Sequence, residues 1–167
     1  MTGHILVAYA SRTGSTAEIA EAVAAELRTT GAAVDVREVS TIPSVAGYTA
    51  VIIGGPLYMG KVVAGIRKFV DRHAGELCHH PVAIFAVGTA PLSHNPATLD
   101  AARRALRSAV APVTPVAETV FAGRIDPSRL SFLQKKLVSW VKAPVGDFRD
   151  WDAIASWARG LPVLLKS

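Results

Sequence analysis

A continuous apolar run, Ile5-Leu6-Val7-Ala8-Tyr9-Ala10, passes directly into Ser11-Arg12-Thr13-Gly14-Ser15-Thr16 and then into the Ala-rich pattern Ala17-Glu18-Ile19-Ala20. An apolar run that breaks into small, hydroxylated residues reads as a buried strand ending in a loop, and the following pattern reads as a helix. Strand, loop and helix in that order aim backbone N–H groups and hydroxyls at one point, where the helix N-terminus adds positive partial charge. The chain therefore opens on a phosphate cradle at the head of an α/β domain.

The missing motifs narrow the phosphate. The loop is not G-x-G-x-x-G, so the dinucleotide fingerprint is absent. Nor is it G-x-x-x-x-G-K-[ST], so no lysine is placed to reach a nucleotide's terminal phosphates. Ser11, Thr13, Ser15 and Thr16 supply up to four hydroxyls beside the main-chain N–H groups. Uncharged donors in that number suit an enclosed phosphate monoester. A plainer reading stands beside it: Ser15-x-x-Glu18 is a capping box, and Thr13 or Ser15 would then only satisfy the helix's own orphan N–H groups.

The segment from Val7 to Val23 resembles the flavodoxin signature, with Tyr9, Ser11, Gly14, Thr16, Ala20 and Val23 matching it and Ala8 standing where a larger apolar residue is usual. The resemblance implies FMN, its ribityl phosphate held by Ser11, Arg12, Thr13, Gly14, Ser15 and Thr16.

The rest of the chain alternates strand and helix as a doubly wound sheet requires. Strands are expected at 34–39, 50–54, 82–88 and 116–122 after the first. Helices are expected at about 15–30, 63–73, 97–110 and 151–161. The continuous apolar character of 50–54 indicates burial on both faces, whereas the alternation in 34–39 suits an edge. These elements fit an α/β, flavodoxin-like, doubly wound five-stranded parallel sheet of order 2-1-3-4-5. Ligands of such a sheet lie past the carboxyl ends of its strands.

That rule selects two more loops. After the third strand, Pro56, Leu57, Tyr58, Met59 and Gly60 read as a strand-to-helix loop. Tyr58 and Met59 offer surfaces for an isoalloxazine, and Gly60 is free to take φ > 0 and bring backbone close to the ring's N5. An ordinary turn with an exposed Tyr is the alternative. After the fourth strand, Gly88, Thr89, Ala90 and Pro91 are placed by topology alone to line the pyrimidine side with backbone donors.

With 167 residues, half of them apolar and 19% charged, residues 1–167 are expected to form one domain. Cys78 is the sole cysteine, which rules out an internal disulfide; it reads as a small buried or half-buried hydrophobe. No basic region precedes the first apolar run, and no run approaches the length of a membrane span, so a cytoplasmic protein is expected. His73, His79, His80 and His94 show no ligand spacing, so surface or capping roles are expected and no metal.

Charge bears on use. The chain carries 18 Lys and Arg against 13 Asp and Glu, a formal +5. Residues 1–60 hold 3 basic and 5 acidic side chains, and residues 61–167 hold 15 and 8. Flavodoxins that only carry electrons are acidic as a family and dock on basic partners, which this surface would repel. It favours an anionic substrate or anionic membrane face instead. No nucleic-acid motif is present, and no such partner is expected.

Residues 123–150 are too many for a simple connection between the fifth strand and the last helix. Within them, 128–142 has helical spacing: Leu130, Leu133, Leu137 and Trp140/Val141 make an apolar face, and Arg129, Lys135, Lys136 and Lys142 lie away from it. Ser128 is a suitable N-cap, and Pro144 and Gly146 end the element. A basic amphipathic helix of this kind serves either as a lid on its own domain or as a peripheral contact with an anionic bilayer.

This helical insertion, the turn Gly123-Arg124-x-Asp126 and the pair Asp150-Trp151 make the whole chain resemble the bacterial menaquinone-dependent protoporphyrinogen IX dehydrogenases. The resemblance implies an FMN-dependent oxidoreductase passing electrons from a reduced tetrapyrrole to a quinone. The chemistry would lie at FMN N5, with no dedicated catalytic side chain. Arg124, Arg129, Lys135 and Lys136 are then candidates to meet substrate propionates or lipid phosphates, with solvated surface charge as the alternative for each. A non-enzymatic electron carrier with a basic surface, serving an acidic redox partner, is the rival reading. A domain that kept the fold and lost FMN is a third.

Overall fold

The computed structural model describes residues 3–11, 14–58, 60–125 and 146–166. Strand β1 (His4–Tyr9) leads into helix α1 (Ser15–Arg28), then β2 (Ala33–Glu38), β3 (Ala50–Tyr58), a short β4 (Lys61–Val62) and α2 (Ala64–Leu77). Next come β5 (Val82–Gly88), α3 (Pro96–Val110), β6 (Ala117–Ala122), the short strands β7 (Arg124–Ile125) and β8 (Gly146–Asp147), and helix α4 (Trp151–Leu164). The parallel sheet has the order β2-β1-β3-β5-β6, and β4 pairs off its path with β3. That is the expected doubly wound order, with β2 at an edge.

Both faces of the sheet are covered, which is why the central strands read as unbroken apolar runs. Successive side chains of a strand point to opposite faces. Accordingly Ile5 and Val7 join Ile52 and Phe85 against Ile19, Val23 and Leu27 of α1 and Ile154, Ala158 and Leu161 of α4. Leu6 and Ala8 join Val51, Ile53 and Ile84 against Ile66, Phe69 and Val70 of α2 and Leu106 and Val110 of α3. Each fully buried Leu or Ile contributes about 1.5–3 kcal/mol of transfer free energy. Helix α1 stops where Gly31 turns with φ 89°, since left-handed backbone suits glycine.

Three expectations need correction. Residues Pro56–Tyr58 are not loop: β3 runs on through them, and Leu57 and Tyr58 pair antiparallel with Val62 and Lys61. Cys78 is exposed rather than buried, because it follows the last turn of α2. His73 is buried, not at the surface; its ring lies 4.9 Å from that of Phe69 on the inner face of α2. Helix α4 also continues past Pro162 to Leu164. The helix expected at 128–142 lies outside the described residues.

At the base of the insertion, β7 and β8 form an antiparallel neck, Arg124 opposite Asp147 and Ile125 opposite Gly146. No helix among the described residues is long and apolar enough to cross a membrane.

Candidate functional site

The loops past the carboxyl ends of β1, β3, β5 and β6 are tied to one another. Ala10 N–H donates to the Gly54 carbonyl at 2.9 Å, joining the first loop to β3. Gly123 N–H donates to the Gly88 carbonyl at 3.3 Å, and Phe148 N–H to the Gly123 carbonyl at 3.2 Å. A Cβ on Gly88 would stand 3.0 Å from the Leu57 carbonyl oxygen, and one on Gly123 would stand 2.8 Å from Val87 Cγ1 and 3.5 Å from Ser15 Oγ. Side chains at these two glycines would force the loops apart.

Within the first loop, Ser11 Oγ accepts a hydrogen bond from Gly14 N–H at 2.9 Å. Gly14 is left-handed, φ 88° and ψ −13°, and occupies the N-cap position of α1 without a side-chain cap. Its carbonyl accepts from Glu18 N–H at 3.2 Å, so the N–H groups of Ser15, Thr16 and Ala17 precede the helical ladder and have no carbonyl within it to meet. Ser15 and Thr16 are buried at 6% and 2% exposure. Helix dipole, three N–H groups with no acceptor among the described residues and nearby hydroxyls make a donor set that fits a phosphate monoester.

The capping-box reading is corrected by the same geometry. Because Gly14 takes the cap, Ser15 lies inside the helix, and its Oγ accepts from Arg124 N–H of the neck at 3.2 Å. Glu18 turns sideways instead of back: its Oε2 pairs with Arg149 Nη1, and its Oε1 lies 3.7 Å from Arg124 Nη2.

Around the second loop, the hairpin β3–β4 turns through Gly60, whose φ of 76° agrees with the freedom expected of it. Pro56, Leu57 and Tyr58 are half-buried. After β5, Thr89 N-caps a single 3₁₀ turn in which Leu92 N–H donates to the Thr89 carbonyl at 2.9 Å. The Ala90 methyl faces the core between sheet and α3, whereas Thr89 and Pro91 on either side of it are exposed. Ser11, Gly14, Ser15, Thr16, Pro56, Leu57, Tyr58, Gly60, Gly88, Thr89, Ala90, Pro91 and Arg124 thus lie on strand ends, loops and the start of α1 at one end of the sheet. Arg12, Thr13, Met59, Arg129, Lys135 and Lys136 lie outside the described residues.

Sequence reasoning missed Arg149. Its Nε and Nη2 donate to the two carboxylate oxygens of Asp147 at 2.9 and 2.7 Å, and its side chain is only 5% exposed. This bidentate bond holds the Asp147 carboxyl down at about 2, and the two carboxylates raise the Arg149 pKa further above its already high value. The available signal was Asp147-x-Arg149-x-Trp151 beside the end of a long insertion.

The flavodoxin-domain family model matches residues 6–152. The chain is 27% identical, over 92% of both chains, to protoporphyrinogen IX dehydrogenase [quinone] of Escherichia coli K12. In structure it resembles the flavodoxin of Streptococcus pneumoniae TIGR4, with a TM-score of 0.57, 19% identity and coverage of 96% of this chain and 98% of that one. It also resembles a flavoprotein of Lactobacillus acidophilus in complex with FMN, with a TM-score of 0.54, 14% identity and coverage of 71% and 93%. Family and FMN-bound neighbour together support FMN as the cofactor. With its sheet order, its glycine-capped first helix and a match spanning most of its length, the chain belongs to the flavodoxin-domain family.

Proposed function

We propose that this protein is an FMN-dependent oxidoreductase that oxidises protoporphyrinogen IX, or a similar reduced tetrapyrrole, with a quinone as acceptor. The observation that carries the reading is the neck β7–β8 at the base of a basic insertion, in a chain that aligns over 92% of its length with a protein of that activity. FMN supplies reversible electron and hydride transfer when bound.

The chain's own residues bind and orient. Ser11, Gly14, Ser15, Thr16 and the N–H of Ala17 would hold the phosphate, a role that Arg12 and Thr13 would share. Pro56, Leu57, Tyr58, Met59 and Gly60 would serve the ring together with Gly88, Thr89, Ala90 and Pro91, whose backbone would supply donors. No side chain is required as an acid or base. Full conversion of a porphyrinogen to a porphyrin releases six electrons and six protons, which three quinones take up as three quinols. Arg124 is engaged with Glu18, which leaves Arg129, Lys135 and Lys136 as the candidates for propionates or lipid phosphates. Peripheral contact of the insertion with the cytoplasmic membrane face belongs to the same proposal, as does a single domain over 1–167.

An anaerobic assay tests it. FMN-loaded protein is given protoporphyrinogen IX, and porphyrin fluorescence is followed with and without a menaquinone analogue. Quinone-dependent porphyrin above the rate with free FMN is expected. Absence of turnover by protein that binds FMN would remove this substrate and favour the carrier, a reading supported by the likeness to the pneumococcal flavodoxin.

A further inference from the structure

A carboxylate in the first turn of α1 is an awkward neighbour for a phosphate. Both are drawn to the same positive helix end, and Glu18 stands one turn from the N–H groups of Ser15, Thr16 and Ala17. Left to itself, its charge would oppose the second anion. Glu18 is not left to itself: the guanidinium of Arg149 pairs with one of its oxygens, and Arg124 stands 3.7 Å from the other.

We propose that Arg149 is a positioning residue for phosphate recognition: it neutralises Glu18 and holds the neck β7–β8 against α1, so that the helix N-terminus accepts a phosphate dianion. The inference rests on the FMN reading and deepens it. Three contacts fix Arg149 in that task. Asp147 takes Nε and Nη2 in a planar fork, Glu18 takes Nη1, and the indole of Trp151 lies 4.6 Å from the guanidinium carbon. A lysine has neither the fork nor the flat face. Among the described residues, the four charged groups Glu18, Asp147, Arg124 and Arg149 balance one another. Removing Arg149 takes one positive charge from a cluster joined directly to the cradle through the bond from Arg124 N–H to Ser15 Oγ.

The test compares FMN with riboflavin, which has the same ring and no phosphate. Dissociation constants for both are measured by quenching of flavin fluorescence on the wild-type protein and on R149Q, E18Q and the double variant. R149Q is expected to weaken FMN about five-fold and riboflavin not at all. The loss should shrink in high salt, and E18Q/R149Q should recover most of it. Equal weakening of both flavins, or an unchanged FMN affinity, would overturn the proposal. E18Q keeps the Asp147–Arg149 bond and covers the case in which R149Q does not fold. It is expected to bind FMN at least as tightly as wild type, and clearly weaker FMN binding with unchanged riboflavin would also overturn the proposal. A wild-type protein with no preference for FMN over riboflavin would instead defeat the phosphate-cradle reading itself.

Discussion

The guanidinium of Arg149 lies 4.6 Å over the ring of Trp151. A residue that ends the insertion is thereby fastened to the first residue of the last helix, while Asp150 between them N-caps α4 by accepting from Ala153 N–H at 3.0 Å. Trp151 is 44% exposed, so its ring contributes through this contact more than through burial. W151A is expected to destabilise the protein by about 0.5–1 kcal/mol. Urea unfolding would show it, and hydrogen exchange at residues 146–149 should quicken in the variant. A loss beyond about 3 kcal/mol would mean that the indole holds core packing instead.

The Asp147–Arg149 bond sets a pH dependence. Because the folded pKa is lowered, from 3.8 to about 2, its stabilisation is fully present above 3.8 and disappears as pH falls through about 2. Asp147 is 45% exposed at the side chain, so the contribution is that of a screened pair, about 1 kcal/mol or less. A carbon-13 carboxyl titration should give Asp147 a midpoint near 2 in the wild type and a higher one in R149Q, where the guanidinium is gone and the backbone N–H of residue 149 remains. A wild-type midpoint at the ordinary value would contradict the bond.

Gly54 is held to glycine by Phe85. A Cβ there would lie 2.0 Å from Phe85 Cζ, inside the buried sheet. Phe85 also meets Phe121 and Trp157, with centroids 5.9 and 6.0 Å away, which leaves its ring little room to move. G54A is expected to cost about 1–3 kcal/mol through overpacking, measured by urea unfolding. G54A/F85L should recover part of the loss, and a neutral G54A would show that the ring swings aside.

At the cradle, G14A must place an alanine at φ 88°, which costs about 1–2 kcal/mol. S11A removes the acceptor of Gly14 N–H and leaves the core untouched. FMN affinity should fall about five-fold in S11A, the equivalent of one hydrogen bond, with the unfolding midpoint within a degree or two of wild type. Unchanged affinity would mean that the loop holds its shape without Ser11.

The sheet order, the buried central strands and the four helices of the described residues were legible because apolar runs and their spacing carry burial directly. The extension of β3 through Pro56–Tyr58 was not, since a Gly-Pro pair ordinarily marks a turn. There the pairing with Lys61 and Val62 supplies the partners that local sequence does not announce. His73 looked polar and proved buried, because helical spacing from Phe69 places it on the inner face of α2. The cradle was legible as a motif, yet the partners of Glu18 were not: Ser15-x-x-Glu18 offers a capping box as the local alternative, and only the fold brings Arg124 and Arg149 across more than a hundred residues to it.

The most direct measurement is a pair of amide nitrogen–proton correlation spectra, with and without FMN. The account expects the largest shifts at Gly14, Ser15, Thr16 and Ala17, followed by Gly60 and Gly88, with riboflavin reproducing the latter but not the α1 group. Shifts confined to other parts of the sheet, or an α1 response as large with riboflavin as with FMN, would contradict it.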